Sequence, residues 1–110
     1  MPDNQFWRDA SGRLTFEMFR SPSDCYPAVC KAIAARFNLE AEKKSLIVGL
    51  DEIYQNYESG GQVVQMAWDN WSGFFVIAMS PASESLVHEI AAWLLQSRWA
   101  VHADATGGGK

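Results

Sequence analysis

Cysteine, histidine, basic clusters and long apolar runs are all scarce in this chain, and each scarcity removes a class of protein. There are two cysteines, Cys25 and Cys30, five positions apart on what reads as one helix. That spacing does not set them face to face for a disulfide. Free thiols fit a reducing compartment, so the cytoplasm is the expected location. Two histidines, His88 and His102, leave little for a metal centre. Glu84 and His88 stand at i and i+4 on one helix face, but a zinc site wants a third protein ligand, and none is visible. Lysine and arginine number 9 against 13 acidic residues, giving a net charge of −4. The only adjacent basic pair is Lys43-Lys44, so a phosphate-tracking nucleic-acid surface is not expected. No apolar run approaches the roughly 20 residues of a membrane span. The opening MPDNQFW shows no charged-then-apolar signal pattern.

What remains is ordinary for a folded soluble domain: 110 residues, 48% hydrophobic and 20% charged. Disorder would need fewer apolar residues and more net charge. The length fits one domain with a real core. The aromatic share is 13%, with five tryptophans. The acidic balance serves solubility first and is compatible with a basic partner.

Two kinds of periodicity divide the chain. Residues 6–19 read as two strands around the turn RDASG, with Leu14, Phe16 and Met18 on one face and Arg13, Thr15 and Glu17 on the other. SPSD (21–24) can cap a helix. After it, Tyr26, Val29, Cys30, Ile33, Ala34 and Phe37 form one apolar stripe at helical spacing, with Pro27 in the first turn and Asn38 suited to a left-handed end. Residues 39–45 are polar and expected to be exposed. Leu46 to Val48 suit a short extended piece. Ser80-Pro81 opens a second helix, with Ser80 or Ser83 as cap and an apolar surface of Leu86, Val87, Ile90, Ala91, Trp93, Leu94 and Leu95 running to about Trp99.

The segment from 46 to 58 fits helical spacing too, and register arithmetic favours strands instead. A two-residue turn at Gly60-Gly61 pairs Ser59 with Gln62, Tyr57 with Val64, Gln55 with Met66 and Ile53 with Trp68. A four-residue turn at 70–73 pairs Asp69 with Phe74, Trp68 with Phe75, Met66 with Ile77 and Val64 with Met79. Paired residues share a face. One face then collects Ile53, Gln55, Tyr57, Val64, Met66, Trp68, Phe75, Ile77 and Met79, all but Gln55 easily buried. The other collects Glu52, Tyr54, Asn56, Glu58, Val63, Gln65, Ala67, Asp69, Phe74, Val76 and Ala78. A three-stranded meander over 52–58, 62–69 and 74–80 follows.

The expected fold is α+β, a two-layer sandwich in the order β-α-β-β-β-α. An antiparallel sheet, made of an N-terminal strand or hairpin plus the meander, carries two amphipathic helices on one face. Residues 1–102 form the domain, and 103–110 a flexible glycine-rich tail.

Catalytic chemistry is thin. Cys25 sits near a helix start, which lowers a thiol's pKa, while Cys30 lies on an apolar stripe. Pro2 becomes an N-terminal secondary amine if Met1 is removed, although Asp3-Asn4-Gln5 separate it from any strand. A small enzyme using Pro2 or Cys25 is the alternative function. ATGGGK lacks the spacing, the Ser/Thr and the following helix of a phosphate loop. Asp51 and Glu52 point opposite ways on a strand. No cofactor and no metal are expected.

The leading function is non-catalytic protein binding. Trp71 in the turn, with Glu52, Tyr54, Asn56, Glu58, Gln65 and Asp69 on the open sheet face, makes an acidic strip bearing Tyr and Trp anchors. It suits a basic protein partner, with the chain itself a monomer or homodimer. In size, charge and lack of chemistry the chain resembles small bacterial inhibitors such as immunity proteins that neutralise a toxin. That resemblance is one of type and covers no defined stretch.

Overall fold

The computed structural model describes residues 4–18 and 22–97. The expected tail, His102, Trp99 and Pro2 lie outside them. Within them stand β1 (Asn4–Arg8), β2 (Leu14–Met18), α1 (Tyr26–Phe37), β3 (Glu40–Ala41), β4 (Ile47–Val48), β5 (Glu52–Ser59), β6 (Gln62–Asp69), β7 (Gly73–Ala78) and α2 (Glu84–Leu95). The protein is α+β, with one antiparallel sheet of order β1-β2-β7-β6-β5-β3; β4 also pairs with β5.

The segment 52–59 is a strand. β5 and β6 pair in the register that a two-residue Gly60-Gly61 turn dictates, with Tyr57 opposite Val64 and Ile53 opposite Trp68. Both glycines have positive φ, 56° and 85°, as the mirror-image turns that match strand twist require. Ile47-Val48 adds a two-residue strand against Tyr54 and Ile53.

The β6–β7 register differs from the expected one by a residue. Asp69 pairs with Gly73, Trp68 with Phe74, Met66 with Val76 and Val64 with Ala78. Two local features tighten the turn. Asp69 Oδ1 accepts the backbone N–H of Trp71 at 2.9 Å and of Ser72 at 2.6 Å. Gly73, at φ 79°, enters the strand directly in a conformation other residues avoid. Every β7 side chain therefore changes face. Phe74, Val76 and Ala78 are the ones in the core with the helices. Phe75 and Ile77 lie on the other side, and Phe74 and Val76 do not belong to the open face.

The core unites β2, β5, β6 and β7 with the two helix stripes. Leu14, Phe16 and Met18 meet Val64, Met66, Phe74 and Val76 on the sheet side, and Val29, Ile33, Val87, Ile90 and Leu94 on the helix side. Each fully buried large apolar side chain contributes roughly 1.5–3 kcal/mol before entropy is set against it. Tyr26 lies in this core because its hydroxyl donates to the Met66 carbonyl at 2.8 Å. Asn38 ends α1 at φ 58° in the left-handed conformation.

Neither helix start is capped as the serines suggest. A short 3-10 turn precedes each helix, at Ser23–Cys25 and at Pro81–Ser83, and no side-chain cap forms at either. Ser83 instead spends its hydroxyl across the fold, accepting the Val63 N–H at 2.9 Å and so tying the start of α2 to β6. α2 ends at Leu95, short of Trp99. The stretch 39–45 is not uniformly exposed either: Leu39 is buried against the core.

Candidate partner-binding face

Register and pleat fix which side chains share the face opposite the helices. One row crosses the sheet through Glu17, Phe75, Ala67, Tyr54 and Ile47. The row beside it runs Trp7, Thr15, Ile77, Gln65 and Asn56. At one end Asp69 faces Glu52, across from Gly73, and at the other Glu58 stands between Val63 and Glu40. Glu52, Tyr54, Asn56, Glu58, Gln65 and Asp69 thus come together on one surface. Gln65 donates to the Asn56 side-chain carbonyl at 3.1 Å, fixing both amides. Tyr54 is half-buried while Tyr57, on the helix side, is buried.

Trp71 stands at the hairpin tip and is 73% exposed. The tip is braced sideways, since the Asn70 N–H donates to the Asp51 carbonyl at 3.0 Å. That bond sets the β6–β7 turn against the β4–β5 turn. There Leu46, Ile47 and Val48 are exposed and Leu50 is wholly so. Sequence reasoning placed only a short extended piece here. Four exposed apolar residues in five were the available signal, because a covered strand would hide one side of them.

Two further members of the face escaped assignment. Trp7 reaches along it from β1, its ring centroid 6.5 Å from that of Phe75. Its indole Nε1–H donates to Glu17 Oε1 at 2.9 Å. Glu17 is 9% exposed, the one charged side chain that is buried among the described residues. Burial pushes its carboxyl above the usual range and the nearby Asp69 carboxylate adds to this, while the Trp7 hydrogen bond works the other way. The alternation Arg13, Thr15, Glu17 sets Glu17 on the side of β2 away from Leu14, Phe16 and Met18; that this is the face of Phe75 and Tyr54, with Trp7 within hydrogen-bond reach, is supplied by the closed sheet.

The strand residues of this face include five carboxylates, Glu17, Glu40, Glu52, Glu58 and Asp69, and no lysine or arginine. Arg13, just before β2, is held by Asp9 at 2.9 Å.

The residues singled out for chemistry assemble nothing comparable. Cys25 is part-buried, and its thiol is raised rather than lowered, by burial and then by the Asp24 carboxylate. The start of α1 thus fails to activate it. Cys30 is buried, and its thiol is pushed up to about 12 by burial, against hydrogen bonds with Tyr26 and Tyr57. Glu84 pairs with Arg8 at 2.7 Å, while His88 packs on the Phe6 ring at 4.7 Å. Among the described residues no group of three His, Cys, Asp or Glu is arranged to hold a metal ion. An open groove of about 550 Å³ between the C-terminal turns of α1 and α2 is lined by Phe37, Trp93, Arg36 and Glu89. It holds no nucleophile and base in hydrogen-bond reach. No described helix is long and apolar enough to cross a membrane.

No family model, curated protein or solved structure matches the chain, so its chemistry is argued from its own side chains.

Proposed function

We propose that this protein is a non-catalytic binding domain whose open sheet face engages a basic protein. The observation that carries the reading is the charge of that face: five carboxylates and no cation among its strand residues. Coulombic complementarity of this kind steers encounter and rejects acidic competitors. Affinity needs apolar anchors as well, and the same end of the sheet supplies them in Trp71, Leu50, Ile47 and Tyr54. A braced hairpin carries Trp71, so little conformational entropy is lost when it is covered. The size and acidity fit the inhibitor or immunity type, in which a small domain caps a basic enzyme.

The test is capture from a lysate on the immobilised domain, compared with Trp71→Ala and Tyr54→Ala. A basic protein should be retained at low salt, released as ionic strength rises, and lost from both variants. Trp71→Ala should unfold within about 0.5 kcal/mol of the parent, because an exposed side chain contributes little, and half-buried Tyr54→Ala within about 1–2 kcal/mol, so both variants remain folded. Retention that ignores salt and both substitutions would remove the open face from consideration.

A further inference from the structure

The two edges of the sheet are finished differently. At one, β5 is covered by β3 and β4, each two residues long, with Lys43-Lys44 in the 3-10 turn between them. Short edge pieces and lysines keep other strands from adding to a sheet. At the other edge β1 runs for five residues and pairs with β2 without a break, from Asn4 opposite Met18 to Arg8 opposite Leu14. It contains no proline and no lysine, and no described strand lies beyond it. Its one charge, on Arg8, is engaged by Glu84 at 2.7 Å.

The backbone parity of β1 follows from its own hairpin. The Asp9 N–H donates to the Arg13 carbonyl at 3.1 Å, so Asp9 and Arg13 are a hydrogen-bonded pair. Such pairs alternate with non-bonded ones along an antiparallel ladder. Trp7 and Gln5 therefore spend their N–H and C=O groups on Thr15 and Glu17, while Arg8, Phe6 and Asn4 turn theirs away from β2. The outward groups are centred on Phe6. A two-fold axis at Phe6, normal to the sheet, pairs Phe6 with the second copy's Phe6 and Asn4 with its Arg8, and the reverse. Every outward group then meets a partner, and Arg8 does not meet its own like. Two-fold symmetry of this kind is the commonest among homo-oligomers. The side chains agree with it. Phe6 is 42% exposed although it packs on Phe16 at 5.2 Å and on His88 at 4.7 Å. Residues directly opposite hold their Cβ atoms about 4.5–5.5 Å apart, so two Phe6 rings cover each other at the axis. Helix α2 flanks the same edge: Glu84 reaches Arg8, His88 lies on Phe6, and Ala92 and Leu95 further along that flank are exposed and uncharged.

We propose that β1 is a dimerisation edge, on which a second copy of this chain lays its own β1 antiparallel, centred on Phe6, so that the two sheets become one. The faces opposite the helices then lie on one side of the joined sheet and stay uncovered. The pairing thus goes beyond the binding of a basic partner and does not depend on it.

The experiment is sedimentation velocity of the whole chain across protein concentration, with amide hydrogen exchange read by NMR on the same samples. The mass should rise with concentration from 12.3 kDa towards twice that value. The exchange pattern is specific to this register. The Phe6 and Arg8 amides should gain protection as the mass doubles, whereas those of Gln5 and Trp7, bonded within the hairpin, should not respond to concentration. Asn4→Pro deletes an outward N–H, leaves the bonds to β2 in place and removes two bonds from the symmetric pair. It should weaken the doubling roughly tenfold or more. Phe6→Lys sets two like charges against each other at the axis and should abolish it. A single-chain mass at every concentration would overturn the proposal and leave β1 open to a strand of some other protein. Doubling that leaves the Phe6 and Arg8 amides in rapid exchange, or that Asn4→Pro does not diminish, would overturn it by placing the contact elsewhere. The exchange pattern of the unmutated chain decides the matter even if Phe6→Lys, which also gives up packing on Phe16, folds poorly.

Discussion

Replacing Phe74 and Phe75 by alanine, one at a time, separates two registers that differ by a single residue. Phe74 is fully buried on the helix side, against Tyr26 at a centroid distance of 6.2 Å, within a core that also holds Val29, Ile33 and Ile90. Removing a ring from such a site costs the lost transfer energy plus the cavity, roughly 3–5 kcal/mol. A domain of this size has about 5–15 kcal/mol in all, so Phe74→Ala should consume a third or more of its stability and can unfold it at the lower end. Phe75 lies one residue further on, half-buried on the open face, with Trp7 on one side and Ala67 across from it. It gives up far less contact, and Phe75→Ala should cost about 1 kcal/mol, in line with partial apolar burial. Urea denaturation followed by far-UV circular dichroism reads the difference as a shift in midpoint at unchanged slope. A Phe75→Ala penalty equal to or above that of Phe74→Ala would refute the observed register and restore a four-residue turn.

Three further outcomes follow from named groups. In the native protein Cys30 should resist alkylation at pH 8, because burial holds its thiol at about 12, and both cysteines should react fully in denaturant; rapid native labelling of Cys30 would show that the core near Tyr26 opens. Glu17 has a raised carboxyl pKa, so between the ordinary value and the raised one the folded state binds more protons than the unfolded, and stability falls as pH climbs through that window. Glu17→Gln should therefore be more stable than the parent at pH 7, with the gap closing as the pH falls below the ordinary carboxylate range, as thermal melts across pH would record; a variant less stable at pH 7 would mean the carboxylate is stabilising as it stands. Gly61, at φ 85°, should lose about 1 kcal/mol on substitution by alanine through backbone strain alone, since nothing stands near an added Cβ; an unchanged urea midpoint would count against the turn geometry.

The contrast between the two hairpins shows why one register was legible and the other was not. β5 and β6 alternate cleanly, and Gly60-Gly61 allows one turn length, so parity carries through every pair. The 69–73 stretch offers Asp, Asn, Ser and Gly together, and any of these supports a turn of three or four residues. Hydrophobic pattern usually settles such a choice, because a slip exposes the oily set. Here it cannot. β7 lies inside the sheet between β2 and β6, with Phe74, Val76 and Ala78 buried towards the helices and Ile77 buried on the other side. Phe74, Val76 and Ala78 are as apolar as Phe75 and Ile77, so FFVIA reads the same in either register. The missing information was the partner of β2. Its alternation is plain, with Phe16 and Met18 facing the helices, and its pairing with Val76 and Phe74 fixes the parity of β7. That pairing joins residues about sixty apart in the chain, and only the closed sheet supplies it.

The same long-range pairing decides what the open face can do. With the four-residue turn, Phe74 and Val76 would have stood on that face beside Asp69, and Phe75 would have stood with the helices instead of beside Glu17. In the observed register β2 sets Glu17 opposite Phe75, and Trp7 on the edge strand donates its indole N–H to the carboxylate. The acidic character of residues 52–69 was visible in the chain because it is local to one hairpin. The setting of Glu17 beside Trp7 and Phe75 was not, because three strands from opposite ends of the chain bring those residues together. Acidity along one hairpin and an aromatic surround for a single acid are thus products of two different levels of the fold, the first local to residues 52–69 and the second supplied by the closed sheet.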